Sequence, residues 1–298
     1  MNERKAVLIY NPKAGRHIDP VRAVEAFRAA ARVGGVDVEA RATTGPNDAA
    51  RIAAEAARAG ATDVIARGGD GTVHEAIQGL VGAGARLMVW PAGTANVLAR
   101  QLNLPREAEA AARIFVGGSS RRITLGAATS ERTGERRYFF MMAGVGLDAS
   151  VVQSVRPSLK RRVGEAAFWY AGLAHLAHWV PKEFTVEVGG EKLTATYAAV
   201  GKAPWYGGGL AITPRARLED EEFEVCVIDT RSRLRYLRLL SHAMRGGAPE
   251  EGTRGLTFRR AARLRCTGGV AVQADGELIG ELPMSFEVIK EGLEVIVP

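Results

Sequence analysis

The chain has 298 residues, 47% of them apolar, so it can bury a sizeable core in two domains or one large one. Its 40 Lys and Arg exceed its 33 Asp and Glu, a formal charge of +7; that balance suits nucleotides, anionic lipid head groups or nucleic acid equally, and is also what an Arg-rich proteome produces. The two cysteines, Cys226 and Cys266, lack metal-ligand spacing, which argues against a disulfide framework and for a reducing cytoplasm, and no run reaches the ~18 apolar residues of a spanning helix.

The amino-terminal run enters a strand almost at once and lacks the long apolar stretch and cleavage site of a signal peptide. Residues 6–10 read as a buried strand, followed by a loop, a helix over 21–32 and a strand over 36–42. A helix is expected from about Pro46 to Ala59, with Pro46 in its first turn. Residues 63–66 and 87–90 are further strands, each leading through a glycine-containing turn into a helix. Repeated strand–helix units predict a mainly parallel, doubly wound α/β sheet with ligands beyond the carboxyl ends of its strands. The loops at 11–16, 43–45, 68–72 and 91–94 fall on that edge.

After Ser120 the pattern changes. Strands are expected at 138–142, 184–188, 193–200, 223–228, 256–258, 264–266, 270–274 and 284–289, with helical stretches near 155–180 and 232–245. Gly-Gly pairs at 189–190 and 268–269 are expected to join neighbouring strands as hairpins. This half reads as an antiparallel β-sandwich.

The segment most suggestive of chemistry is Gly68-Gly69-Asp70-Gly71-Thr72-Val73-His74-Glu75, a strand–turn–helix junction. Glycines let a backbone approach a phosphate, the helix start offers free N–H groups, and Asp70 offers a carboxylate to a divalent ion. Asn11-Pro12-Lys13-Ala14-Gly15-Arg16 is a turn with two cations that suits a phosphate tail, although read alone it is equally a surface turn. Residues 91–100 repeat the strand–turn–helix design, and Thr94 or Asn96 caps the helix or bonds a nucleotide. Gly144-Val145-Gly146-Leu147-Asp148 reads as a glycine turn. Asp275-Gly276-Glu277 places two carboxylates astride a glycine, a common hairpin turn and also a means of removing a proton from a hydroxyl. P-loop, zinc-protease and serine-nucleophile patterns are all missing.

Taken in order, these segments resemble the diacylglycerol kinase catalytic-domain family, which includes bacterial lipid kinases and the sphingosine and ceramide kinases. Residues 202–227 match as well, with Gly207-Gly208-Gly209 and the run from Pro214 to Asp220. The resemblance spans nearly the whole chain. It implies a doubly wound nucleotide-binding domain over 1–123 and a β-sandwich lipid-substrate domain over 124–298, the last strand returning to the first domain. It implies ATP and Mg2+ as cofactors. The residues matching nucleotide-contacting positions are Asn11, Pro12, Lys13, Ala14, Gly15, Thr44, Gly68, Gly69, Asp70, Gly71, Thr72, Val73, His74, Glu75, Gly93, Thr94 and Asn96. Glu277 matches the proton acceptor, with Asp275 the competing assignment and Asp70 the metal-facing carboxylate. Asp220, with the carbonyls of Arg217 and Glu222, matches a magnesium site that is structural in bacterial members; Glu221 departs from the family's Gly, which leaves that site reshaped or lost.

The residues after Asn96, Val97-Leu98-Ala99, lie closer to the sphingoid-kinase pattern than to that of diacylglycerol-like members, so either lipid stands as acceptor. The implied activity is phosphorylation of a membrane-lipid hydroxyl in phospholipid metabolism. Its rivals are an NAD kinase, which shares the Gly-Gly-Asp-Gly turn, and a non-catalytic lipid- or nucleotide-binding protein on the same fold. Expected partners are the lipid, an anionic membrane surface met by Lys160-Arg161-Arg162 and the aromatic stretch 166–180, and a second copy of the chain, with no nucleic acid. The expected location is the cytoplasm, peripheral to the membrane.

Overall fold

The structure, a computed structural model, describes residues 4–15, 19–147, 149–150, 179–206, 210–244, 253 and 255–298. The chain forms two compact units, Met1–Ile123 with Glu291–Pro298, and Thr124–Lys290. Asp148, Gly207 to Gly209, the Lys160-Arg161-Arg162 run and most of the aromatic stretch lie outside the described residues.

In the first unit β1 (Ala6–Tyr10), α1 (Pro20–Val33), β2 (Val38–Ala42), α2 (Asp48–Arg58), β3 (Asp63–Gly68), α3 (Asp70–Leu80), β4 (Arg86–Pro91), α4 (Val97–Gln101) and α5 (Ala108–Gly117) alternate as expected. The strands pair in parallel in the order β2-β1-β3-β4. The last strand, β18 (Met284–Val297), adds its final residues beside β4, with Val295 opposite Leu87. Every residue of β3 is buried, as a strand covered on both faces requires. Phe27 of α1 stacks on Trp90 of β4 at 4.8 Å and packs against Phe115 of α5 at 5.8 Å. Asp63, fully buried, is matched by Arg4 at 3.0 Å and Arg86 at 2.6 Å, because an unpaired buried charge is not tolerated.

Two boundaries differ from expectation. The α2 helix starts at Asp48 rather than Pro46, because Asn47 takes a left-handed φ of 62° and ends the turn before it. The strand over 36–42 begins only at Val38, since the Val36 N–H bonds back to Ala31 O at the end of α1.

The second unit is an antiparallel sandwich. It contains β5 (Ser119–Ser130, from Thr124 on), β6 (Arg136–Phe139), β7 (Met142–Gly146), β8 (Phe184–Val188), β9 (Glu191–Ala195), β10 (Tyr197–Gly201), β11 (Trp205–Tyr206), β12 (Leu210–Ala211), β13 (Phe223–Ile228), α6 (Arg233–Met244), β14 (Leu256–Ala261), β15 (Arg263–Thr267), β16 (Ala271–Ala274), β17 (Glu277–Glu281) and the first part of β18. One layer runs β14-β13-β10-β7-β16-β17 and the other joins β18, β15, β8 and β9, with β5 beside β18 and β6. Alternate residues of β8 are buried, and Phe139, Phe223, Val145, Val186 and Phe286 share one core. Both cysteines are free and buried, and Cys266 belongs to that core; burial pushes the Cys266 thiol up to about 12.

The sandwich corrects four local readings. Gly268-Gly269 joins β15 to β16, which belong to different layers, so it is not a hairpin. Residues 138–142 split into β6 and β7 because the Phe140 and Met141 amides turn to a carboxylate instead of a neighbouring strand. Residues 193–200 break at Thr196, whose hydroxyl bonds Ile228 O, Thr230 O and the Tyr236 hydroxyl. Gly144 to Gly146 lie in β7, where Gly144 pairs with Ala199 and Gln273, and not in a turn. Among the described residues no helix is long and apolar enough to cross a membrane.

Candidate active site

The carboxyl ends of β1 to β4 gather most of the residues expected to meet a nucleotide. After β1, the Asn11 N–H donates to Arg67 O at 3.1 Å. The Asn11 side chain accepts from the Lys13 N–H at 2.9 Å, and the Ala14 N–H closes the turn on Asn11 O. Pro12 and Lys13 are left exposed, with Gly15 following. After β2, the Thr44 N–H and hydroxyl both go to Asp48 Oδ2, at 2.7 and 2.5 Å. Those two bonds and Arg51 hold the Asp48 carboxyl well below the usual carboxylate range.

After β3, Gly69 caps α3 in an extended conformation without any side-chain cap. The first-turn amides of α3, from Asp70 through Gly71 and Thr72, therefore have no acceptor within the helix, and the positive end of its dipole faces the edge. Thr72, Val73 and His74 turn buried side chains into the unit. The two carboxylates of this segment reach sideways. Asp70 Oδ1 accepts the Val97 N–H at 2.7 Å, and Glu75 Oε2 accepts the Ala49 N–H at 3.1 Å. Each thereby caps the first turn of a neighbouring helix, α4 and α2. Neither Thr94 nor Asn96 caps α4. Asn96 takes a left-handed φ of 47° and spends its amide on Gly93, accepting from Gly93 N at 2.9 Å and donating to Gly93 O at 2.7 Å.

The turns after β3 and β4 touch. The Ala92 N–H donates to Gly68 O at 2.8 Å, and a Cβ at Gly93 would stand 2.5 Å from Gly69 Cα and 2.9 Å from Asn96 Oδ1. Only glycine fits that approach. Two arginines that sequence reasoning missed support the edge. Arg106 donates to Gly93 O at 3.0 Å, while its own carbonyl accepts from Trp90 Nε1. Arg67 is buried with its guanidinium 4.9 Å over the Trp90 ring, and among the described residues its Nε and Nη1 meet no acceptor. Burial pushes that guanidinium below its ordinary value. Nothing in the spacing of the motif marks either one.

In the sandwich unit, Asp275 and Gly276 form the two-residue turn between β16 and β17, with φ of 49° and 85°, the left-handed pair that Asp-Gly favours. The Asp275 carboxylate is buried and accepts three amides, from Phe140 at 2.9 Å, Met141 at 3.0 Å and Met142 at 3.1 Å. Glu277 begins β17 opposite Ala274 and is exposed. The two neighbouring carboxylates thus differ, one buried and engaged by backbone and one on an exposed residue.

The expected magnesium ligands also lie in this unit, and one of them, the Asp220 carboxylate, already carries one of the chain's own cations. Asp220 Oδ2 pairs with Arg260 at 2.9 Å, and Glu222 pairs with the same guanidinium at 3.2 Å. The Lys202 ammonium, on a fully buried residue, donates to Asp220 O, which also accepts the Thr124 hydroxyl at 2.7 Å. Arg217 O accepts the Asp220 N–H at 3.1 Å. Glu221, the departure from the family pattern, pairs with Lys290. Burial pushes Lys202 down to about 8, still a cation at neutral pH. Among the described residues no cluster of His, Cys, Asp and Glu is arranged to hold a metal ion. Asp220, the expected side-chain ligand, is engaged by the chain's own cations at both its carboxylate and its carbonyl.

Comparison with known proteins agrees with this architecture. Residues 5–128 match the diacylglycerol kinase catalytic domain, and residues 141–297 match the YegS C-terminal NAD kinase beta sandwich-like domain. A diacylglycerol kinase of Mycobacterium tuberculosis is 32% identical over 99% of this chain and 95% of its own. A protein of Pseudomonas fluorescens named probable lipid kinase YegS-like is 30% identical over 100% of this chain and 97% of its own. A solved structure of a diacylglycerol kinase from Bacillus anthracis superposes with a TM-score of 0.76 at 18% identity, over 100% of this chain and 98% of that one, and shares the fold. The two matched domains, in this order and over this span, make the chain a member of the diacylglycerol kinase catalytic-domain family of lipid kinases.

Proposed function

We propose that the protein is an ATP-dependent lipid kinase that phosphorylates a hydroxyl of a membrane lipid, diacylglycerol-like or sphingoid-like, from the cytoplasmic side and peripheral to the bilayer. The observation that supports it most is the locked edge of the first unit. There the uncapped α3 start turns its first-turn backbone N–H groups to the edge where phosphates would lie, and the Gly69–Gly93 contact and the Asp70–Val97 bond hold the turns in place. Lys13 adds a cation from the neighbouring turn. Asp70 is the carboxylate that would hold magnesium, which when bound with ATP supplies countercharge to the phosphates. Glu277 takes the proton of the lipid hydroxyl as that oxygen bonds to the terminal phosphorus and the bond from that phosphorus to the bridging oxygen breaks, releasing ADP. The names of the relatives support the acceptor class.

Incubation of the protein with γ-labelled ATP, magnesium and vesicles carrying diacylglycerol or sphingosine, beside free NAD, tests the proposal. Labelled lipid phosphate that depends on magnesium is expected. Labelled NADP with no lipid product would replace the reading with the NAD kinase one, and no transfer to any acceptor would leave a binding protein. A second expectation follows from the loop contact. Gly93→Ala must push the two turns apart by about an ångström, so ATP binding by isothermal titration is expected to weaken at least about tenfold. The fold should survive, because the clash lies at a surface edge. Parental ATP affinity in that variant would mean the contact plays no part in binding.

A further inference from the structure

We propose that the Lys202 ammonium, helped by the Arg260 guanidinium, occupies the place of a structural divalent cation in the sandwich unit, so that this chain closes its 217–222 turn with its own side chains and binds no metal there. The turn brings together the Asp220 carboxylate and carbonyl and the Glu222 carboxylate, a concentration of negative oxygen that needs positive charge beside it. The Arg260 guanidinium and the Lys202 ammonium supply positive charge there without an ion.

Lys202 is the decisive member. It follows β10, and its own N–H and that of Ala203 both donate to Met141 O, at 2.7 and 3.1 Å, which fixes where its stem leaves the backbone. The residue is wholly buried, and its ammonium ends on Asp220 O beside the Thr124 hydroxyl. A magnesium ion demands near-octahedral oxygen at about 2.0–2.1 Å and keeps several waters. The ammonium seated on the Asp220 carbonyl, beside the expected ligands, opposes it by charge repulsion, and Arg260 already holds the expected carboxylate. Arg260 is half-exposed and completes the outer side, reaching both carboxylates. Glu221, in place of a glycine, is drawn off to Lys290 and leaves the cluster's charge balance unchanged.

The test needs no kinase activity, so its failure and that of the lipid kinase reading are separate. Thermal unfolding of the whole chain is followed without nucleotide, in EDTA and in 10 mM-range magnesium or calcium. The parent is expected to melt within about 1 °C in all three, because an ion that does not bind the folded state cannot shift its melting. Lys202→Asn should melt lower in EDTA and recover by at least about 3 °C in magnesium, the vacated oxygens now taking the ion. If that variant does not fold, Arg260→Gln, with the buried ammonium kept, should melt lower in EDTA and gain nothing from magnesium, and a gain there would overturn the exclusion by Lys202. A parental melting temperature raised several degrees by magnesium, with the gain lost in Asp220→Asn, would overturn the proposal. Equally, Lys202→Asn or Arg260→Gln melting like the parent in EDTA would show that the cations hold nothing.

Discussion

Asp70→Asn is expected to lower turnover by on the order of a hundredfold to a thousandfold while leaving the melting temperature within about 2 °C of the parent. The separation follows from the two jobs of this side chain. Its Oδ1 caps α4 through the Val97 amide at 2.7 Å, and asparagine keeps an oxygen for that bond; Asn and Asp cap helices equally well. What the substitution removes is the negative charge that would hold magnesium at the phosphates. Asp70→Ala removes both and should also cost about 1 kcal/mol of stability through the lost cap. Steady-state kinetics at saturating magnesium, beside calorimetry, reads the two effects independently. Near-parental turnover in Asp70→Asn would end the assignment of Asp70 to the metal.

Asp275 and Glu277, only two positions apart, should fail in opposite ways. Asp275→Ala strands the amides of Phe140, Met141 and Met142 in a buried site. Each unsatisfied buried donor costs about 1–3 kcal/mol, so a total loss of about 3–5 kcal/mol is expected after relaxation. Asp275→Asn is little better, since one oxygen becomes an N–H facing other N–H groups. Glu277 is exposed, and Glu277→Gln should stay within about 0.5 kcal/mol of the parent in a denaturant titration. Its expected effect is on chemistry, a loss of about a hundredfold or more where phosphoryl transfer limits the rate, with ATP affinity kept. Full turnover by Glu277→Gln under those conditions would place the proton acceptor elsewhere.

What the sequence revealed follows from how far apart the cooperating residues are. The strand–turn–helix at 68–75 is local, and its glycines and apolar flanks announce it. The same holds for the parallel α/β order of the first unit and for the alternating pattern of β8. The caps did not show. Asp70 reaches a residue 27 positions on and Glu75 one 26 positions back, whereas a cap read from sequence is sought within one turn. The break in the strand over 138–142 has the same origin, a carboxylate more than 130 residues later. Glu221 marked the 217–222 turn as a departure from the family pattern. That Lys202 reaches it was hidden, because a lysine after a strand reads as a solvated cation. Arg67 was hidden likewise: its partner is the face of Trp90 on the adjacent strand, a pairing set by sheet register.

The α4 helix has a consequence for how the first unit assembles. It is five residues long, far below the length at which a helix persists on its own in water. Its first amide is held by Asp70, and the turn before it is held by Gly69, Asn96 and Arg106. None of these supports exists until β3, α3 and β4 lie side by side. The helix is therefore a dependent element, held only by the strands and turns packed around it. A chain caught partway through synthesis or folding has the Gly-Gly-Asp-Gly residues but not the surface they form. The edge proposed to meet a nucleotide thus forms only together with the unit that carries it.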